Sequence, residues 1–349
     1  MRVGIVGFGG MGKWHSEIIS EIGDLTVAGI YDIKEERMEL AKECNLHTYA
    51  SFEELLEDKS LTLVVIATPN DSHKMLAIQA MRAGKHVVCE KPVTIASKDL
   101  QEMIHVSIET GMFFTVHQNR RWDEDFLTIK KIYKEQLLGE VFRIESRVHG
   151  SRGIPGDWRQ EVEHGGGMVF DWGVHLFDQI LLLMEGVALK TVYARTTNVT
   201  NQMVDDGFTV ILSYENNVEV LIEVGTNNFI SLPRWYLLGQ NGTAIIHDWE
   251  LHGEMICSSG VNETDVVPVK TAAGITKTMA PRREDTIHKQ ALPIVTSDIK
   301  DFYKNVQDVI LHGGESEIKL SEVMRVMKLM EVVFESAKQN QVLQFEDSL

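Results

Sequence analysis

The sequence predicts an α/β chain: an N-terminal doubly wound parallel sheet, then an α+β domain built on a mostly antiparallel sheet. Three observations predict it. Over residues 1–121, short apolar runs alternate with helix-length amphipathic segments, as βαβ units require. The first run ends in a glycine-rich turn that opens a helix. After residue 121, apolar runs follow one another closely with Asn and Gly turns between them, the signature of an antiparallel sheet. A chain of 349 residues can bury two cores, and the change of texture divides it into 1–121 and 122–349.

Taken in order, Val3–Val6 is an apolar strand closed by Gly7, and Met11–Ser20 reads as a helix. Thr26–Tyr31 is the second strand, followed by a charged helix from Lys34 to about Cys44. Ser51 and Glu54 have the spacing of a capping box. Leu63–Ala67 is apolar throughout, as in a sheet covered on both faces. Asn70 or Asp71 caps a helix that Gly84 ends, His86–Cys89 is a further strand, and the helix after Ser97 stops at Gly111. Phe113–His117 is expected as a sixth strand. A bridging helix at Asp123–Lys134, a strand at Val141–Val148, an irregular loop at Gly150–Gly167 and a long helix at Met168–Met184 come next. Strand runs at Lys190–Thr197, Phe208–Tyr214, Val218–Val224, Arg234–Leu238 and Thr243–His247 precede helices at Ser297–Ile310 and Ser321–Lys338. Residues 262–293 carry no readable period. Met324, Met327 and Met330 have helical spacing and read as core.

The formal net charge of −17 repels phosphate backbones and anionic lipid heads, so neither nucleic acid nor membrane is an expected partner. Cys44, Cys89 and Cys257 are scattered and odd in number, which fits reduced thiols of a cytoplasmic protein rather than a disulfide framework or a zinc site. No metal site is expected, because the 13 histidines are dispersed and no H-E-x-x-H occurs.

Gly7-Phe8-Gly9-Gly10-Met11-Gly12 satisfies G-x-G-x-x-G between a strand and a helix. Gly7 permits the tight turn, Gly9 lets backbone approach a pyrophosphate, and Gly12 allows close helix–strand packing. The helix N-terminus then offers free N–H groups to the phosphates. Asp32 stands twenty residues beyond Gly12 at the end of the second strand. A carboxylate there accepts hydrogen bonds from ribose hydroxyls and repels a 2′-phosphate, which favours NAD over NADP; it can equally serve as a helix N-cap.

Beyond the glycine loop, the chain carries Gly84-Lys85-His86-Val87-Val88-Cys89-Glu90-Lys91-Pro92, Ala67-Thr68-Pro69-Asn70 with His73, and Gly165-Gly166-Gly167 followed by Asp171, Gly173, His175 and Asp178. Together these resemble the Gfo/Idh/MocA family, over nearly the whole chain. Asn119-Arg120-Arg121-Trp122-Asp123 with Asp125-Phe126 further resembles its scyllo-inositol dehydrogenase members. The resemblance implies an N-terminal Rossmann domain and a C-terminal domain with a large open sheet. The outer face of that sheet often forms the oligomer interface, so a homodimer or homotetramer is expected. It implies oxidation of a secondary alcohol on a sugar or cyclic polyol, or the reverse. Lys91 matches the lysine of the E-K-P motif, and Asp171 and His175 match the later acid–histidine pair. Asp32-Ile33 departs from the serine–arginine type pair of NADP-preferring members.

Alcohol oxidation needs a hydride acceptor and a base with a pKa near the working pH, for which histidine is suited. Asp171 and His175 are four apart on an expected helix and Asp178 is seven after Asp171, so the three are expected on one face. His175 is the candidate base, with Asp171 and Asp178 binding substrate hydroxyls. Lys91, at the carboxyl end of a strand, can stabilise the reacting oxygen. The site is expected in the cleft between the domains. Thr68, Pro69, Asn70, His73, Glu90, Trp158 and Arg159 are candidate cofactor contacts, and 151–156 has the glycines and proline of a lid. Two other readings stand beside the dehydrogenase: an NAD-dependent glycosidase without net redox, and a nucleotide-binding regulator without chemistry.

Overall fold

The computed structural model describes residues 1–260 and 266–346. Five parallel strands form the first sheet: β1 (Arg2–Val6), β2 (Thr26–Tyr31), β3 (Leu63–Ile66), β4 (His86–Cys89) and β5 (Phe114–Val116), in the order β2-β1-β3-β4-β5. The strand expected as a sixth, at Phe113–His117, is therefore the fifth and last. Every residue of β3 is buried, as its continuous apolar run requires with helices on both faces. Helices α1 (Gly10–Ser20), α2 (Glu35–Glu43), α3 (Phe52–Glu57), α4 (His73–Arg82) and α5 (Ser97–Thr110) connect the strands. Local rules set their ends. The Ser51 hydroxyl accepts from Glu54 N at 3.1 Å while the Glu54 carboxylate accepts from Ala50 N. Gly111, at φ +67°, closes α5 in the left-handed region.

Helix α6 (Glu124–Lys134) leads into a nine-stranded sheet. Its strands are β6 (Val141–His149), β7 (Leu189–Thr197), β8 (Gly207–Tyr214), β9 (Glu219–Gly225), β10 (Trp235–Gly239), β11 (Gly242–Ile246), β12 (Gly253–Ser258), β15 (Ile287–Gln290) and β16 (Leu343–Gln344). The order is β15-β12-β11-β10-β6-β9-β8-β7-β16, and only the β6–β9 pair is parallel. Burial alternates along β9 and, from Phe208 onward, along β8, so one face packs and the other is partly open. On the packed face lie α7 (Val174–Leu183) and α9 (Leu320–Gln339), with Met327 and Met330 in the core. Helix α8 (Lys300–His312) returns to α1. In the stretch that carried no readable period, a hairpin of β13 (Val269–Thr271) and β14 (Gly274–Thr276) precedes β15.

The long helix expected at Met168–Met184 is two pieces: a π-helical turn over Val169–Gly173, then α7. The Asp205 carboxylate accepts from Val169 N at 2.8 Å and holds the start of that turn. Among the described residues, no helix is long and apolar enough to cross a membrane.

Candidate active site

The glycine loop has the shape its sequence requires. Gly7 adopts φ +89°, and a Cβ there would lie 2.6 Å from the Ala67 carbonyl oxygen; one on Gly12 would lie 1.9 Å from that of Gly7. Gly9 and Gly10 instead face open space. The closed positions hold the turn together, and the open ones leave room for a diphosphate before the N-terminus of α1. Phe8 is fully buried in the core, and Met11 lies in the first turn of α1. Asp32 is tied to this loop: its carboxylate accepts from Phe8 N at 2.7 Å and from Lys34 N at 2.8 Å. Each oxygen retains a lone pair for a ribose hydroxyl. These residues fit a dinucleotide.

At the carboxyl end of β4 the chain turns through Glu90-Lys91-Pro92. Lys91 Nζ donates to the Asp171 carbonyl oxygen at 3.1 Å and lies 3.4 Å from its carboxylate. Arg159 Nε reaches the same carboxylate oxygen at 3.2 Å and is also paired with Asp157. The two segments thus meet across the interdomain cleft. Burial alone would raise the Asp171 pKa, but the charges of Lys91 and Arg159 bring it below the ordinary value. His175 is 4% exposed and its Nδ1 has no hydrogen-bond partner among the described residues. Burial first, then the Lys91 and Arg120 charges, hold its pKa well below 6.5, against a smaller pull from Glu90. It is therefore a neutral imidazole at neutral pH, as a general base requires.

Three expected contacts are turned elsewhere. Asp178 does not face the site: Arg121 Nη2 and Nε donate to its two carboxylate oxygens at 2.6 and 2.8 Å, and Arg121 Nη1 donates to Glu322 at 2.7 Å. The π turn takes more residues per turn than an α-helix, so the seven-residue spacing no longer returns Asp178 to the face of Asp171. His73 is fully buried, with its ring nitrogens 3.1 Å from the Pro92 and 2.8 Å from the Thr68 carbonyl oxygens. It braces the two strand-end loops. Glu90 also turns inward. Its Oε1 accepts from His15 Nε2 at 2.8 Å and His117 Nδ1 at 2.7 Å, and Tyr303 donates to His15 Nδ1 at 2.6 Å. Burial would raise the Glu90 pKa, yet the two histidines hold it well below the ordinary value.

Sequence reasoning missed this knot, because its members lie up to 288 positions apart and no local spacing joins them. His15, Glu90 and His117 are also a set of side chains able to ligate a metal. Their 2.7–2.8 Å separations are hydrogen bonds, whereas two ligands of one tetrahedral zinc stand roughly 3.3 Å apart. Of the remaining candidates, Thr68 Oγ1 bonds Ser72 Oγ at 2.7 Å in the turn after Pro69. Asn70 donates to the Gly165 carbonyl at 3.1 Å and so spans the domains, and Trp158 lies under the Arg159 guanidinium at 4.6 Å. The loop 151–156 is largely exposed, with Ile154 buried.

A glycine cradle beside a lysine, aspartate and histidine in a cleft defines a dinucleotide-binding oxidoreductase. Residues 1–118 match the family model "Oxidoreductase family, NAD-binding Rossmann fold", and residues 126–245 match "GFO/IDH/MocA C-terminal domain". The chain belongs to the Gfo/Idh/MocA family and is an NAD(P)-dependent dehydrogenase acting on CH–OH groups. Among solved structures, it is similar to an NAD-binding protein from Listeria innocua, with 47% identity, 99% of each chain covered and a TM-score of 0.96. Among curated proteins, it is 29% identical to the uncharacterized oxidoreductase YdgJ of Escherichia coli over 98% of both chains. It is 24% identical to the scyllo-inositol 2-dehydrogenase (NADP(+)) IolW of Bacillus subtilis, over 99% of this chain and 96% of that one.

Proposed function

We propose that the protein oxidises a secondary alcohol of a sugar or cyclic polyol, in the first instance an inositol, with NAD as cofactor. The observation that carries this is the meeting of Lys91 with Asp171 beside His175. NAD, when bound, supplies the hydride acceptor. His175 takes the hydroxyl proton. The Lys91 ammonium hydrogen-bonds the reacting oxygen and stabilises the charge that develops there. Asp171 holds Lys91 in place and accepts a neighbouring hydroxyl, while Arg159 keeps Asp171 ionised. Two relatives named inositol dehydrogenases, myo-inositol 2-dehydrogenase of Thermotoga maritima (30% identical over 56% of this chain) and IolW, support the substrate class. Asp32 beside the glycine loop supports NAD, although IolW is named for NADP(+).

We further assign the Rossmann unit to residues 1–121, the substrate unit to 122–349, and a homodimer or homotetramer to the partly open face of the nine-stranded sheet. The test is incubation with NAD, and separately NADP, against inositols, hexoses and aldonic sugars, with products identified by mass. A product two hydrogens lighter than one polyol, formed faster with NAD, is expected. Turnover confined to NADP, or to none of these alcohols, overturns the reading.

A further inference from the structure

Arg159 and Asp171, whose side chains meet beside Lys91, stand at the two ends of a stretch made of loop and single helical turns. Gly167 joins those ends. Its N–H donates to the Arg159 carbonyl oxygen at 3.0 Å, and its own carbonyl oxygen accepts from Asp171 N at 3.0 Å. Asp205 grips this junction from outside. Its carbonyl oxygen accepts from Met168 N at 3.0 Å and its carboxylate accepts from Val169 N at 2.8 Å. The same carboxylate lies over Gly167 so closely that a Cβ there would stand 2.2 Å from Asp205 Oδ1. Gly167 also has φ +101°, so glycine alone satisfies both the backbone and the contact.

Asp205 is itself held from behind. The next residue, Asp206, is buried and is fastened to the nine-stranded sheet. Its N–H donates to the Thr197 carbonyl oxygen at 2.9 Å, at the end of β7, and its carbonyl oxygen accepts from Thr226 Oγ1 at 2.7 Å, just after β9. Its carboxylate accepts from Thr197 Oγ1 at 2.8 Å and from Thr200 Oγ1 at 2.9 Å. Asp205 is therefore a bridge from the sheet to the junction between Arg159 and Asp171. The contacts at the far end of that bridge tolerate little movement. Lys91 Nζ stands 3.1 and 3.4 Å from the two Asp171 oxygens, and Arg159 Nε stands 3.2 Å from the carboxylate. Bonds of that length are lost on a shift of less than about 1 Å.

We propose that Asp205 is a positioning residue of the reaction: by fixing the start of the π turn it sets Asp171 and Arg159 against Lys91, and it acts only through them. The proposal rests on the dehydrogenase reading and adds a residue to that site.

The test compares wild type with Asp205→Ala, Asp205→Leu and Asp205→Asn. Ala and Leu remove the acceptor, Leu while still filling the space, and Asn keeps an oxygen for Val169 N. On an alcohol that wild type oxidises, Ala and Leu are expected to lower kcat/KM about a hundredfold, the scale of a 1 Å displacement at a reacting group. The Kd of NAD stays within about threefold of wild type, because the glycine loop is untouched. Asn restores most of the turnover. The pH profile separates positioning from mere loss of folded protein. The Lys91 and Arg159 charges hold the Asp171 carboxyl down against burial. An Asp171 that has moved away from them protonates at higher pH, so the acidic limb of kcat/KM moves upward in Ala and Leu and stays in place in Asn. A loss by one factor at every pH, or near-normal kcat/KM in Ala and Leu, overturns the proposal. So does failure of both to fold while Asn folds, which makes Asp205 a residue of stability alone.

Acetylation of the NAD-free protein by acetic anhydride, read lysine by lysine by mass spectrometry, needs no substrate. Lys91 is expected to react about threefold or more faster in Ala and Leu, the scale of losing one partly exposed ion pair. Lys74, paired with Asp99 and Glu102 between α4 and α5, is expected to react unchanged. If wild type oxidises no alcohol, the dehydrogenase reading fails, and this labelling decides separately whether Asp205 sets the contact of Lys91 with Asp171. Equal labelling of Lys91 in all four proteins overturns it.

Discussion

In the proposed mechanism Lys91 and His175 carry the chemistry at the residue scale, and their surroundings predict how each responds to change. Lys91→Ala and His175→Ala each lower kcat by about two orders of magnitude or more while leaving NAD affinity intact; steady-state kinetics with fluorescence titration of NAD checks both. Near-normal turnover in either variant removes that residue from the mechanism. His175 is held below its ordinary pKa of 6.5 by burial and by the Lys91 and Arg120 charges. The base must be neutral, so the acidic limb of the kcat/KM profile falls below pH 6.5. Arg120→Gln removes one of the two cations, makes the imidazolium easier to form, and moves that limb upward. A limb at the ordinary value, unmoved by the substitution, contradicts the electrostatic account. Asp32→Ala relaxes the preference for NAD over NADP, read as the ratio of kcat/KM values.

The elements that hold these residues make separate predictions. Arg121 is buried with both Asp178 oxygens bound to it. Arg121→Ala strands that carboxylate and costs about 3–5 kcal/mol of unfolding free energy in denaturant titrations. An effect below about 1 kcal/mol would return Asp178 to the list of substrate contacts. Asp205, which caps the π turn bearing Asp171, has its carboxyl pushed up to about 7, chiefly by burial. Its folded pKa exceeds its unfolded one near 3.9, so its contribution to stability is full below about pH 4 and is lost as pH rises through about 7. The melting temperature should therefore fall from pH 5 to pH 8 in wild type and fall less in Asp205→Asn. The same elements show what the sequence makes legible. Gly7, Gly12, Ser51 and Gly111 act through contacts within a few residues or between adjacent elements of standard form, so a pattern of residue types identifies them. The π turn is set by Asp205 from a distant loop, and the inward turn of Glu90 by His15, His117 and Tyr303 from three other elements. Neither is encoded in a local period; the π turn ends at Gly173, so it shifts Asp171 relative to His175 and Asp178, which both lie in α7.

For the whole molecule, the proposed site draws on both sheets: Lys91 comes from the parallel sheet, while Asp171, His175 and Arg159 come from the segment that rests on the antiparallel one. Asn70 to Gly165 and Asp71 to His164 at 2.9 Å tie the two together beside the site. The alternation of strand and helix made the parallel sheet legible in outline, and the closely spaced apolar runs with Asn and Gly turns between them did the same for the antiparallel one. The β13–β14 hairpin, β15 and β16 escaped because each strand is only two to four residues long, and β12, six residues with Met255, Ile256 and Cys257, escaped although it is apolar. The central claim is that this cleft performs net alcohol oxidation, and the most direct measurement is the amount of NADH formed per enzyme, followed by absorbance, with excess NAD and a polyol or glycoside. The account predicts NADH accumulating through many equivalents on at least one of them. Cleavage of a glycoside with no NADH beyond one equivalent would contradict it.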